Sequence, residues 1–305
     1  MHELGMDLWI IITITAAFLQ NIRSTLQKHL KNVMGTTGAT FVRFGFGIPF
    51  ALFYWLIFLA YTGNEIPAIE HHFWFWVFVA AIAQIIATFM LLHIFSFRNF
   101  TVGTAYSRTE PAQTAVFALV FFGELLSIGG IIAIAVSVVG VMLISVARSE
   151  ITFKTIFTSV LSRTALIGLG SGTLFGLAAV GYRASALAVQ HDLFFLQGAT
   201  TLVVAITLQS VVMLIWIALK EPEEFRKIIK AWKPALAVGF VGSTASFGWF
   251  SAFALQQAAL VKVVAQIEML FTFASSVFFF KETITRLEIA GCVLITAGII
   301  LLVLL

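Results

Sequence analysis

Charge is scarce in this chain. Asp, Glu, Lys and Arg make up 10% of its 305 residues, where a soluble domain carries roughly a quarter, and that shortage excludes an ordinary solvated globule. Cysteine is nearly absent too: the lone Cys292 excludes an internal disulfide framework and a cysteine-built metal site, and reads as filler in an apolar helix. Long polar stretches are missing, since the two longest, 148–163 and 220–233, are far below domain size. No cluster of metal ligands, no nucleophile–base set and no phosphate-cradling glycine loop occurs. A cofactor, a metal and enzyme activity are therefore not expected. The net charge of +4 sits in loops, where it suits anionic lipid rather than nucleic acid.

What is present is apolar sequence. Hydrophobic residues make up 60% of the chain, its mean hydropathy is +1.04, and apolar runs recur that are long enough to cross a ~30 Å hydrocarbon layer as helices. Bounded by charge, Pro or Gly, they predict an all-α integral membrane protein with ten spans: 6–28, 37–61, 73–97, 102–122, 128–147, 164–189, 193–219, 234–258, 262–280 and 284–305. The first run lacks the basic start and cleavage site of a signal peptide, so it reads as a span that stays. The segment 223–233 carries Phe, Ile and Trp among its charges and reads either as an amphipathic interfacial helix or as a solvated loop.

The chain repeats itself. Glu110 and Glu268, Phe121-Phe122 and Phe279-Phe280, Glu124 and Glu282, and Gly140 and Gly298 all stand 158 residues apart. Arg23 and Arg183, like Gly38-Ala39-Thr40 and Gly198-Ala199-Thr200, stand 160 apart. A shared register over charged, aromatic and glycine positions implies a tandem duplication, with repeats at 1–147 and 164–305 joined by a loop at 148–163. Five spans each is an odd number, so the second repeat enters the membrane from the opposite side, a recurring arrangement in transporters. Thirteen Lys and Arg residues fall in or beside the breaks after odd-numbered spans, against Lys262 alone on the other side. The positive-inside rule then places both termini outside the cytoplasm.

Two stretches, TEPAQTAVFALVFFGELLSIGGIIAIAVSVVGVML (109–143) and IEMLFTFASSVFFFKETITRLEIAGCVLITAGIIL (267–301), resemble the drug/metabolite transporter superfamily, specifically its EamA-type members. The resemblance extends over essentially the whole chain. It implies a ten-helix carrier in the bacterial cytoplasmic membrane, with a central cavity walled mainly by the first four helices of each half. Such relatives move amino acids, amines, nucleosides, cationic drugs and other metabolites. Bacterial aromatic amino-acid exporters of this type are usually drawn with cytoplasmic termini, and the charge bias here departs from that.

Arg23, Arg43, Arg108, Arg183, Glu110 and Glu268 lie inside apolar spans. An ionisable group there costs ~2.5–3.5 kcal/mol on insertion scales, so each should look inward. They read either as struts that lock helices together or as groups that touch solute or a coupling proton. The repeat suggests pairing Arg23 with Glu110 and Arg183 with Glu268. Pro111 predicts a kink beside Glu110. Arg108, about 200° around a helix from Glu110, needs another partner or snorkels to the surface. Arg43 has no counterpart, since the repeat places Val203 there, and it is a candidate for an anionic group such as a carboxylate or for pairing with Glu110. Tyr106 and Trp249 join the binding or gating candidates. Asn21, Thr88, His93, Tyr182, Ser246 and Gln266 are candidates to line a cavity, although helix-packing hydrogen bonds would also explain them. These residues support a secondary-active, alternating-access transporter of a small organic solute, with proton coupling through Glu110 or Glu268. A channel-like pore and a flippase for lipid-linked substrates are the alternatives.

Overall fold

The computed structural model describes residues 2–63, 65–94, 97, 100–147, 161–278 and 285–304. Most of the expected linker, 148–160, and the matched motif from Phe279 to Glu282 lie outside the described residues. The described chain is almost entirely helical: α1 His2–Leu30, α2 Thr36–Gly45, α3 Ile48–Tyr61, α4 His72–Ile94, α5 Phe100–Ser107, α6 Glu110–Phe122, α7 Ile128–Ala147, α8 Arg163–Leu187, α9 Phe194–Lys220, α10 Glu223–Lys230, α11 Trp232–Leu255, α12 Ala258–Ala265, α13 Ile267–Phe278 and α14 Arg286–Leu304. Runs such as the Val- and Ile-rich stretch of α9 would suit a strand in water. Hydrocarbon offers the backbone no partner, and a helix satisfies it within one segment. The exception is a two-residue antiparallel pair, β1 Ala68–Ile69 with β2 Val189–Gln190, which the apolar pattern did not foretell.

Among the described residues, seven stretches are long and apolar enough to cross a membrane: 36–61, 72–94, 128–145, 163–187, 194–220, 232–255 and 286–304. The expected spans at 102–122 and 262–280 are each divided into two short helices, α5 and α6, and α12 and α13. Large apolar side chains such as Phe53, Phe75, Val120 and Ile215 stand exposed, as side chains facing lipid do.

Two compact units emerge, and each draws on both repeats. The first comprises residues 1–85 and 181–256, the second 86–180 and 257–305. In the first unit α1 lies along α11, and α9 packs against α2, α3 and α11. Phe44, Phe73, Leu196 and Leu202 are fully buried in it. The short helix α10 is amphipathic and clamped to the start of α2. Glu224 Oε2 accepts from the Gly35 amide at 2.8 Å, Thr37 Oγ1 donates to Glu221 Oε1 at 2.9 Å, and Lys227 pairs with Glu224. A carboxylate on exposed helix-start amides complements the positive end of the helix dipole.

In the second unit the main packing is α7 on α14, with α6 on α12. The helices α7 and α14 meet at two glycines. A Cβ on Gly140 would stand 2.8 Å from the Gly291 carbonyl oxygen, and one on Gly291 would stand 2.6 Å from that of Gly140. Small residues at such a crossing let two backbones touch, which is how helices associate where lipid removes the hydrophobic drive. Ile144 and Ile295 fill the layer beside them.

Candidate functional site

The second unit holds a crossing of two broken helices. One run stops at Ser107 and restarts at Glu110; the other stops at Ala265 and restarts at Ile267, the same place in the repeat. Pro111 stands in the first turn of α6, where a missing amide costs nothing. The expected kink is thus a restart just before the proline, and the second break occurs with no proline at all. Each restart sets a carboxylate in its first turn, Glu110 in α6 and Glu268 in α13, where the helix dipole favours an anion.

Two cations of the second unit meet these carboxylates. Lys262 Nζ lies 2.7 Å from Glu110 Oε1, close enough for an ion pair although off the hydrogen-bonding direction of that oxygen. Arg108 Nη1 lies 3.6 Å from Glu268 Oε2. Within the unit, then, Glu110 meets Lys262 and Glu268 meets Arg108, while Arg23 and Arg183, the partners expected from the repeat, belong to the first unit. Arg108 does find the separate partner that its angular offset from Glu110 demanded. Gln113 ties the break to α8: its Nε2 donates to Thr109 Oγ1 at 2.7 Å and its Oε1 accepts from Thr173. Gln266, at the second break, is only 5% exposed, and among the described residues both polar atoms of its side chain lack a hydrogen-bond partner.

The first unit gathers two arginines. Arg23 on α1 and Arg43 on α2 are both buried, and their stems cross the bare face of Gly242 on α11. A Cβ there would stand 3.2 Å from Arg23 Cδ and 3.4 Å from Arg43 Cγ. The guanidinium of Arg43 is 5.2 Å from the centre of the Phe44 ring, and Arg23 Nη2 donates to Ser24 Oγ at 3.2 Å. Two turns along α11 from Gly242, Trp249 Nε1 donates to Gln20 Oε1 at 3.1 Å. Tyr182 is buried in a polar set: its hydroxyl donates to Gln84 Oε1 and accepts from Gln209 Nε2, both at 3.0 Å.

Arg183 does a different task from its repeat mate. Its Nη1 donates at 2.7 Å to the carbonyls of Phe253 and Gln256, the last turn of α11, so a cation closes a helix C-terminus. Tyr106 packs with Val102, Ala165 and Leu169 in an apolar cluster. His93 stands edge-on to Phe97 at 5.1 Å. Thr88 and Ser246 are buried, and Asn21 is half-buried on α1. The sequence presents Lys262 as a lone loop cation and Gln84 as one of several polar residues in the spans, and it singles out neither Gln113 nor Gln209. A helical-face comparison of the two 158-spaced segments in antiparallel register could have brought Lys262 forward.

The sequence matches the EamA-like transporter family over residues 7–146 and 162–304. No curated protein sequence matches it. Among solved structures, a crystal structure of a protein only 14% identical superposes with a TM-score of 0.70, over 96% of this chain and 94% of its own, a likeness of fold alone.

Proposed function

The chain belongs to the EamA-like transporter family, and from that premise we propose that it is a secondary-active, alternating-access carrier of a small organic solute, such as an amino acid, amine or related metabolite. In this reading ten spans form two inverted five-helix repeats in a bacterial cytoplasmic membrane, with both termini outside. The observation that carries it is the matched break of the two helices at 107–110 and 265–267, bridged by the Lys262–Glu110 and Arg108–Glu268 pairs. Ionised side chains and interrupted helices are costly in lipid and persist where solutes or ions are handled. A carboxylate whose cation withdraws from it in a dry environment takes up a proton, so proton coupling through Glu110 or Glu268 belongs to the same reading.

Counterflow tests the proposal. Proteoliposomes preloaded with unlabelled amino acids are diluted into a labelled trace of the same mixture, because only a carrier couples opposing fluxes through one site. The expected result is a transient accumulation of label that an imposed pH gradient enlarges. Conductance without counterflow would mean a pore, and movement of fluorescent lipid analogues without solute flux would mean a flippase.

A further inference from the structure

Arg43 is a buried cation of the first unit. It is 5% exposed, and among the described residues its Nε has no hydrogen-bond partner and no carboxylate lies within ion-pairing distance of it. The acidic side chains described from Glu65 onward in the unit are occupied elsewhere or exposed: Glu70 pairs with His72, Glu221 takes Thr37 and Glu224 takes Gly35 and Lys227, while Glu65, Asp192 and Glu223 are exposed. A charge of the same sign stands beside Arg43. Arg23 shares the Gly242 face with Arg43, and the two cations repel. A guanidinium inside a membrane-spanning segment demands a counter-charge, and its planar fork matches two oxygens of one anion. Gly242, having no side chain, lets both stems pack directly on its backbone: a Cβ there would stand 3.2 Å from Arg23 Cδ and 3.4 Å from Arg43 Cγ.

We infer that Arg43, with Arg23 beside it, holds the oxyanion of the transported solute, a carboxylate or a phosphate. The inference rests on the carrier reading and narrows it, since it selects an amino acid or an organic acid over a simple amine. Arg183, whose guanidinium closes the end of α11, is not part of this site.

Thermal unfolding of the full chain in phosphatidylcholine nanodiscs tests it, at fixed ionic strength, against L-alanine, glutarate and inorganic phosphate, with putrescine as the cationic control. At least one of the three oxyanion probes should raise the midpoint saturably while putrescine leaves it unmoved. In Arg43→Gln the apparent Kd for that probe should weaken at least tenfold, with Arg43→Lys in between. Gly242→Ala, whose new methyl meets both arginine stems, should weaken it as well and serves should Arg43→Gln fail to fold. A second set of nanodiscs containing phosphatidylglycerol separates solute from lipid. The inference is overturned if none of the three oxyanions shifts the wild-type midpoint, if only putrescine does, if Arg43→Gln binds as tightly as the parent, or if phosphatidylglycerol alone produces the whole shift. Because the readout is binding and not flux, failure here leaves a positive counterflow result intact, and a failed counterflow leaves a binding shift intact.

Discussion

Glu110 and Glu268 occupy one repeat position yet hold their cations differently, and the difference has energetic consequences. Lys262 and Glu110 touch at 2.7 Å with side chains 17% and 20% exposed, whereas Arg108 and Glu268 are 3.6 Å apart with Arg108 38% exposed. The first pair should behave as a largely buried contact and the second as a screened one. Lys262→Met, which leaves Glu110 without its cation, should destabilise by about 1–3 kcal/mol. Arg108→Met should cost under ~1 kcal/mol. The swapped double variant Glu110→Lys/Lys262→Glu should recover part of the first loss, as a thermodynamic cycle in nanodiscs would read; equal costs for the two single variants would count against this ranking. Both carboxylates were legible from their 158-residue spacing. The cations Lys262 and Arg108 were not, because Lys262 aligns with Thr104 and Arg108 with Gln266, so these two break the symmetry that the carboxylates keep.

Helices were legible wherever hydropathy and hydrogen bonding agree. The span expected at 128–147 is α7 to the residue, since an unbroken apolar run in lipid has no alternative to an unbroken helix. At 107–110 and 265–267 the backbone ladder stops where polar residues, Arg108, Thr109 and Glu110 in one run and Gln266 and Glu268 in the other, interrupt the apolar sequence, and an averaged hydropathy passes over interruptions that short. The segment 223–233, readable as helix or loop, forms the helix α10, and what fixes it is a contact almost 190 residues away in sequence: the Glu224 carboxylate on the Gly35 amide. Glu224 also holds the Lys227 ammonium above the ordinary lysine pKa, mainly through their hydrogen bond. A raised lysine pKa gives stability that is present in full below the unfolded value and fades as pH climbs through the folded one, so this arm of the clamp is intact at neutral pH and loosens only in alkali. Glu224→Ala strips the start of α2 of a charged acceptor and should cost about 1.5–3 kcal/mol, measured as loss of thermal stability. Glu223→Ala, exposed on the same helix, should leave stability within ~0.5 kcal/mol.

At the scale of the whole molecule the duplication and the compact units divide the chain differently: the family matches at 7–146 and 162–304 follow the repeats, while each unit draws residues from both halves. The sequence register could reveal the duplication because it survives as matched residues. It could not reveal the units, which depend on which helices bury their faces together. Orientation in the membrane is a third property, and it rests on charge alone. Lysines and arginines such as Lys220, Arg226, Lys227, Lys230 and Lys233 crowd one set of breaks, whereas Glu65, Glu70 and Asp192 lie in the other. Short loops are the regime in which positive charge resists translocation most effectively. The lone cysteine makes the arrangement measurable, because Cys292→Ser gives a background free of thiols. Into it a single cysteine is placed at Arg226 or at Glu65, both exposed and both beyond the apolar runs. A membrane-impermeant maleimide added to intact cells should label the Glu65→Cys variant and spare Arg226→Cys until the membrane is opened. The reverse pattern would turn the protein over and carry both termini to the cytoplasmic side.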